Sequence, residues 1–237
     1  MAVNTPPIIH ALDITPLDPD RLDWSRWVDA ERMAAAARWM RREDRARSIG
    51  AGLLLAVALR RRHPDGPFPP RIETGPHGKP FLPEWPDVHF NLSHSGKWAV
   101  CATAGHPVGV DIEQVSRSRE DVARRFFSPE ENRFLSGLSP ARWAEAFCEI
   151  WVLKESYIKT RGEGLFESMG QLHVELGPPA RMLRSGQPDG VGIALCPFVD
   201  AEYRLGLAIT RADPAGYSVE ILDIARIRAC LGAGIVE

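Results

Sequence analysis

Trp151-Val152-Leu153-Lys154-Glu155-Ser156-Tyr157-Ile158-Lys159 sets one carboxylate and two ammonium groups among bulky apolar side chains. A chain that contains this run has to hold charge against a core. Read as a helix, the run puts Trp151, Glu155 and Ile158/Lys159 on one face, because residues three and four apart are neighbours there. Glu155 then needs a partner. A Glu155–Lys159 pair at i, i+4 is the simple solution, and such pairs stabilise a helix by about 0.3–0.5 kcal/mol. A second solution lies upstream, where Gly109-Val110-Asp111-Ile112-Glu113 reads as a strand. Its period-two alternation directs Asp111 and Glu113 to the same side. Three carboxylates gathered at one point repel each other unless a hard cation neutralises them, and an oxygen-rich, part-hydrated site suits magnesium. Asp111, Glu113 and Glu155 are therefore the candidate metal ligands.

The chain has 237 residues, 44% of them hydrophobic, enough for one large domain or two small ones with a real core. A formal net charge of −2 argues against a protein that coats nucleic acid, although arginines cluster locally. Cys101, Cys148, Cys196 and Cys230 form no Cys-x-x-Cys pair and no zinc spacing. They read as reduced, buried thiols, which fits a cytoplasmic protein. The N-terminus lacks the basic and apolar regions of a signal peptide, and the longest apolar run, Ala51 to Leu59, is too short to span a bilayer. No membrane partner is expected, and the chain is expected to be a monomer.

Periodicity and punctuation give the element order. Ile8 to Ile14 reads as a strand and Trp24 to Met40 as a helix rich in Ala, Arg and Trp. Glu43 to Arg62 reads as a second helix, whose centre is apolar nearly all round and must be buried. Arg71 to Thr74 and Lys79 to Leu82 flank a Gly75-Pro76-His77-Gly78 turn. Val88 to Leu92 and Trp98 to Thr103 read as paired strands joined by a Ser93-His94-Ser95-Gly96-Lys97 loop. That loop suits either a phosphate or a self-capped polar turn. Gln114 to Asp121 reads as a mobile, arginine-bearing loop, and Val122 to Phe127 as helical. Ser128-Pro129-Glu130-Glu131 starts the next helix with a capping box, and Gly137 ends it. Ser139-Pro140 starts a long helix to about Arg161, with Gly162 as its stop. Gln171 to Leu176, Val191 to Cys196, Tyr203 to Thr210 and Tyr217 to Ile221 read as further strands. The order predicts an α+β fold of two halves, 1–106 and 107–237, breaking near His106-Pro107.

Gly78-Lys79-Pro80, Phe90-Asn91-Leu92-Ser93-His94-Ser95, Gly109-Val110-Asp111-Ile112-Glu113 and Trp151-x-x-Lys154-Glu155-x-x-x-Lys159, in this order, resemble the 4′-phosphopantetheinyl transferases, specifically the surfactin-synthetase-activating type. The resemblance covers about Arg41 to Leu165, and four ordered motifs are specific where each alone is weak. It implies a pseudo-dimer of two similar α+β halves, with coenzyme A in the cleft between them. It implies that a serine hydroxyl of an acyl or peptidyl carrier protein attacks the phosphate bearing pantetheine and releases adenosine 3′,5′-bisphosphate. It makes Asp111, Glu113 and Glu155 the Mg2+ ligands. Glu155, directly or through a metal-bound water, is then the base, and Lys159 stabilises the departing oxygen. Lys154 is read either as a phosphate ligand or as a salt-bridge partner. Lys79 and Pro80 match residues holding the adenine, and Ser93, His94 and an arginine, Arg47, match those holding the 3′-phosphate. Arg32 fits a further basic position of the first helix. Ala35 occupies another, leaving Arg38 or Arg42 to replace it. The segment Gln114 to Phe127 is implied to meet the carrier protein.

Two other readings compete. A magnesium-dependent nuclease also combines Asp, Glu and Lys, but its Glu and Lys lie two apart on a strand, and the balance of charge disfavours it. A non-catalytic carrier-binding relative would not need Asp111, Glu113, Glu155 and Lys159 together.

Overall fold

The computed structural model describes residues 6–75, 77–115, 119–162, 169–211 and 213–232. Pro76 of the expected turn and Arg117 of the expected docking loop lie outside them. β1 (Ile8–Asp13), β5 (Trp98–Ala104) and β6 (Val108–Gln114) are buried almost continuously along their length, as strands covered on both faces are. β1 and β5 belong to a four-stranded sheet in the order β11-β1-β5-β4, with β4 at His89–Ser95 and β11 at Ser218–Leu222. β6 belongs to a second sheet, β6-β10-β9, with β9 at Val191–Cys196 and β10 at Tyr203–Thr210. Two small ribbons complete the strands: β2 (Glu73–Thr74) with β3 (Pro80–Phe81), and β7 (Leu172–Glu175) with β8 (Arg181–Arg184).

The sheets stack face to face. Ile9, Ala11, Val100 and Ala102 of the first meet Val110, Ile112, Leu205 and Leu207 of the second in one apolar cluster. The opposite face of the first sheet, through Leu12, Ala99 and Cys101, packs on α2 (Arg42–Arg62). The opposite face of the second packs on α5 (Pro140–Arg161), giving the layers helix, sheet, sheet, helix. The wholly apolar centre of α2 is thus buried as its composition requires. Gly162 closes α5 in the left-handed conformation at φ 71°, which glycine adopts without a steric penalty. The Ser128–Glu131 capping box at the start of α4 (Pro129–Ser136) is also present.

Several elements differ from expectation. Trp24 to Met40 is not one helix: a 3-10 turn at Leu22–Arg26 is followed by α1 at Ala30–Ala37, because the Asp29 carboxylate accepts from Arg32 N–H at 2.8 Å and starts a new helix. Ser93, His94 and Ser95 are strand, and the loop shrinks to the Gly96-Lys97 turn, Ser95 pairing directly with Trp98. Beyond α3 (Glu120–Phe126), the strand β8 and the helix α6 (Ile224–Leu231) carried no sequence signal. β5 and β6, on either side of His106-Pro107, lie in different sheets. The segment 218–231, expected to belong to 107–237, packs with the sheet of β1: β11 pairs parallel with β1, and Ile227 and Leu231 of α6 join the core around α2. Among the described residues no helix is long and apolar enough to cross a membrane.

Candidate active site

Strand β4 runs beside β6 without a backbone ladder, and its side chains supply the missing acceptors. Asn91 Oδ1 accepts from Val110 N–H at 2.9 Å, Ser93 Oγ from Ile112 N–H at 3.4 Å, and Ser95 Oγ from Gln114 N–H at 3.1 Å. Three polar side chains at i, i+2 and i+4 of β4 thus stitch the sheets together at this seam. The serines also face the acids: Ser93 Oγ donates to Asp111 Oδ1 at 2.7 Å, and Ser95 Oγ to Glu113 Oε2 at 2.8 Å.

α5 brings the rest of the site. It lies directly on the backbone of β6 and β10 because both carry a glycine at the crossing. A methyl group on Gly109 would stand 2.0 Å from Ser156 O, and one on Gly206 would stand 2.5 Å from Val152 O. This approach delivers Lys159 Nζ to within 2.6 Å of Asp111 Oδ1, and to 3.2 Å from Ser93 Oγ. Lys159 therefore pairs across the seam with Asp111, in place of the simple pair with Glu155.

Asp111, Glu113, Glu155, Lys159, Ser93 and His94 share the wall of one cavity of about 500 Å³, with Arg32 and Trp151 also lining it. Burial, and then the charge of Asp111, pushes the Glu155 carboxyl up to about 7, Glu113 adding to the shift and Lys159 opposing it. Burial and Asp111 likewise raise Glu113. Asp111 Oδ2 is buried with no hydrogen-bond partner. Mutually repelling carboxyls and an orphaned carboxylate oxygen are the signature of hard oxygen donors that lack their counter-charge. As the side chains stand, no group of three or more His, Cys, Asp or Glu among the described residues is arranged to hold a metal ion. Lys159 occupies one oxygen of Asp111, so the donor chemistry fits a cation and binding one requires side-chain rotation.

The other expected residues fall into two groups. His94 and Pro80 line the cavity, and burial, then Arg47, holds the His94 imidazole below its ordinary pKa. Arg47 does not line the cavity: it donates to Gly96 O at 2.7 Å and pairs with Asp44, with its charge acting on His94. Lys79 Nζ instead donates to Val108 O and Thr160 O at 3.2 and 2.8 Å, and burial pushes its pKa down to about 8. It covers a carbonyl of the last turn of α5. Arg42 donates to Leu17 O, and Arg38 is exposed.

Lys154 is the clear correction. One residue from Glu155, it is turned about 100° round the helix into the core, where it is fully buried on Glu131 Oε2 at 2.6 Å and Phe126 O at 3.2 Å. It is a salt-bridge partner, away from the cavity. Lys154→Ala is expected to lower stability by about 3–5 kcal/mol, because it leaves the Glu131 carboxylate buried without its cation. Lys154→Met with Glu131→Gln should recover much of that loss in urea unfolding. An equal loss in both variants would refute the charge explanation. Asn91 and Ser95 were missed as site residues. Their signal was present in the sequence as polar alternation within a strand.

Residues 107–206 match the model of the 4′-phosphopantetheinyl transferase superfamily. A 4′-phosphopantetheinyl transferase of Bacillus subtilis is 34% identical over 79% of this chain and 83% of its own. The enzyme psf-1 of Bacillus pumilus is 30% identical over 90% of this chain and 94% of its own. A solved holo-[acyl-carrier-protein] synthase of Thermotoga maritima is 21% identical over 45% of this chain and 64% of that one, with a TM-score of 0.37.

The chain belongs to the 4′-phosphopantetheinyl transferase family, the enzymes that modify carrier proteins with phosphopantetheine from coenzyme A. That membership sets aside the nuclease reading.

Proposed function

We propose that this chain converts apo acyl or peptidyl carrier proteins to the holo form with Asp111, Glu113 and Glu155 as ligands of Mg2+. The observation that carries the reading is the unpartnered, buried Oδ2 of Asp111, in a cavity shared with two further carboxyls of raised pKa. A bound magnesium ion would offset the charge of the coenzyme A pyrophosphate. The serine oxygen of the carrier forms a bond to the phosphorus that bears pantetheine. The bond from that phosphorus to the oxygen of adenosine 3′,5′-bisphosphate breaks. Glu155, directly or through a metal-bound water, takes the serine proton. Lys159, within reach of the same wall, stabilises the departing oxygen. His94, Ser93 and Arg47 hold the 3′-phosphate, Arg32 adds a cation beside them, and Pro80 flanks the adenine.

We read 1–106 and 107–237 as the halves of a pseudo-dimer with this cavity between them, 218–231 crossing back to the first half. The carrier docks along Gln114 to Phe127, where Arg119 stacks on Trp151 with its guanidinium 5.6 Å from the ring centroid, beside the cavity. The chain acts as a cytoplasmic monomer. The test is mass spectrometry of an apo carrier protein incubated with the enzyme and coenzyme A. The expected result is addition of the phosphopantetheine mass with magnesium and its loss with chelator. Magnesium should also raise the melting temperature more with coenzyme A present than without. Full transfer in chelator would refute the metal assignment.

A further inference from the structure

A second cavity, of about 780 Å³, opens at the other end of the seam, where the connection from β5 to β6 meets the C-terminal end of α5. It adjoins the Lys79–Pro80 region through His89, Pro107 and Arg161, which line both spaces. Its walls carry three arginines, two histidines and two aspartates. Two of the arginines are neutralised: Arg62 Nη2 lies 3.0 Å from Asp87 Oδ2, and Arg161 is paired with Asp189. The third, Arg211, has no hydrogen bond or ion pair among the described residues. It sits at the exit of β10 in the left-handed backbone region at φ 59°, a conformation unfavourable for a residue with a side chain. His89 and His106 face the same space.

An unpaired guanidinium with two imidazoles in a concave, part-buried site leaves a positive field without a counter-ion. We propose that this cavity binds a phosphate-class oxyanion between Arg211, His89 and His106, separate from the catalytic cavity. Charge-assisted bonds from these donors would fix the anion, and the two ion-paired arginines would form the rim without being consumed. The titrating group is His89. Burial, then Lys79 of the β2–β3 turn and then His106, depresses it, while Asp87 raises it. An anion favours the protonated imidazole, so binding strengthens as pH falls.

The experiment is calorimetric titration of the full chain, saturated with coenzyme A so that its nucleotide-phosphate contacts are filled. Inorganic phosphate and glycerol 3-phosphate are the ligands. Binding of phosphate alone identifies a free oxyanion as the occupant. Binding of both identifies a phosphomonoester, and binding of neither overturns the site. Arg211→Glu is expected to weaken phosphate by roughly tenfold through charge reversal, and His106→Gln by a smaller factor. Coenzyme A affinity should be unchanged in both. Sulfate, whose charge is constant over this range, should bind more weakly at about pH 8 than at about pH 6. Unaltered phosphate affinity in Arg211→Glu, or a flat sulfate profile, overturns the assignment.

Discussion

Glu155→Gln is expected to lower kcat by about 10³-fold or more, since proton acceptance and charge balance at the reacting phosphate are lost together. The same variant is expected to be more stable than the parent when both are metal-free. The sign follows from the shift. The Glu155 carboxyl moves from 4.5 to about 7 on folding, so the folded state disfavours its ionised form. The resulting cost is absent below about pH 4.5, grows as pH rises through the interval, and is complete above about pH 7. Metal-free parent protein should therefore lose stability over that window, by up to about 3 kcal/mol from this group. Glu155→Gln should lose much less. Parallel melting curves of parent and variant across the window would show that Glu155 is not held against its neighbours. Asp111→Ala should behave differently, because Asp111 accepts from both Lys159 and Ser93. Its removal leaves a part-buried ammonium without its anion, and stability should fall along with activity.

Among the described glycines, Gly109→Ala is expected to be strongly disruptive. The added methyl would stand 2.0 Å from Ser156 O and 2.6 Å from Thr160 Oγ1, both on α5. Thr160 Oγ1 is itself tied to Ser156 O at 2.8 Å and to Ala208 O at 3.1 Å, so neither atom can step aside alone. The helix must lift from the sheet, at a cost of about 3 kcal/mol or more. The same lift carries Glu155 and Lys159 away from Asp111. A misplacement of about 1 Å at reacting groups lowers rates on the order of 10²-fold, so kcat should fall even at temperatures where the variant is fully folded. Gly216→Ala is the control, since no atom lies within 4 Å of the position its Cβ would take. It should be neutral or slightly stabilising. Equal melting temperatures for Gly109→Ala and Gly216→Ala would refute the close-packing account of the site.

The pattern of the chain carried much of the site because strand and helix periods place side chains before any tertiary contact forms. Asp111 and Glu113 share a face by alternation, Glu155 and Lys159 by helical spacing, and all four line one cavity. The boundaries of α4 and α5 were legible for the same local reason: Ser128, Pro129, Glu131 and Gly162 each satisfy or terminate their own helix end. Lys154 was left ambiguous by the letters alone. Its neighbours at spacing three and four, Ile150, Trp151, Tyr157 and Ile158, are apolar or aromatic and offer it no counter-ion, and only the arrival of Glu131 on α4 settles which way the ammonium is used.

Non-local events decided the rest. The hydroxyls of Ser93 and Ser95 became acceptors for β6 only once two sheets had stacked, and the turn behind them shrank because the strand continued to Ser95. β11 was recognisable as a strand, but its parallel pairing with β1, at the opposite end of the chain, has no signature in neighbouring residues. Composition, capping and periodicity act within a few residues and are written in the sequence. Which oxygen Lys159 meets, which carboxylate Lys154 neutralises and how closely α5 approaches Gly109 depend on the packing of distant segments, and the tertiary structure alone decided them.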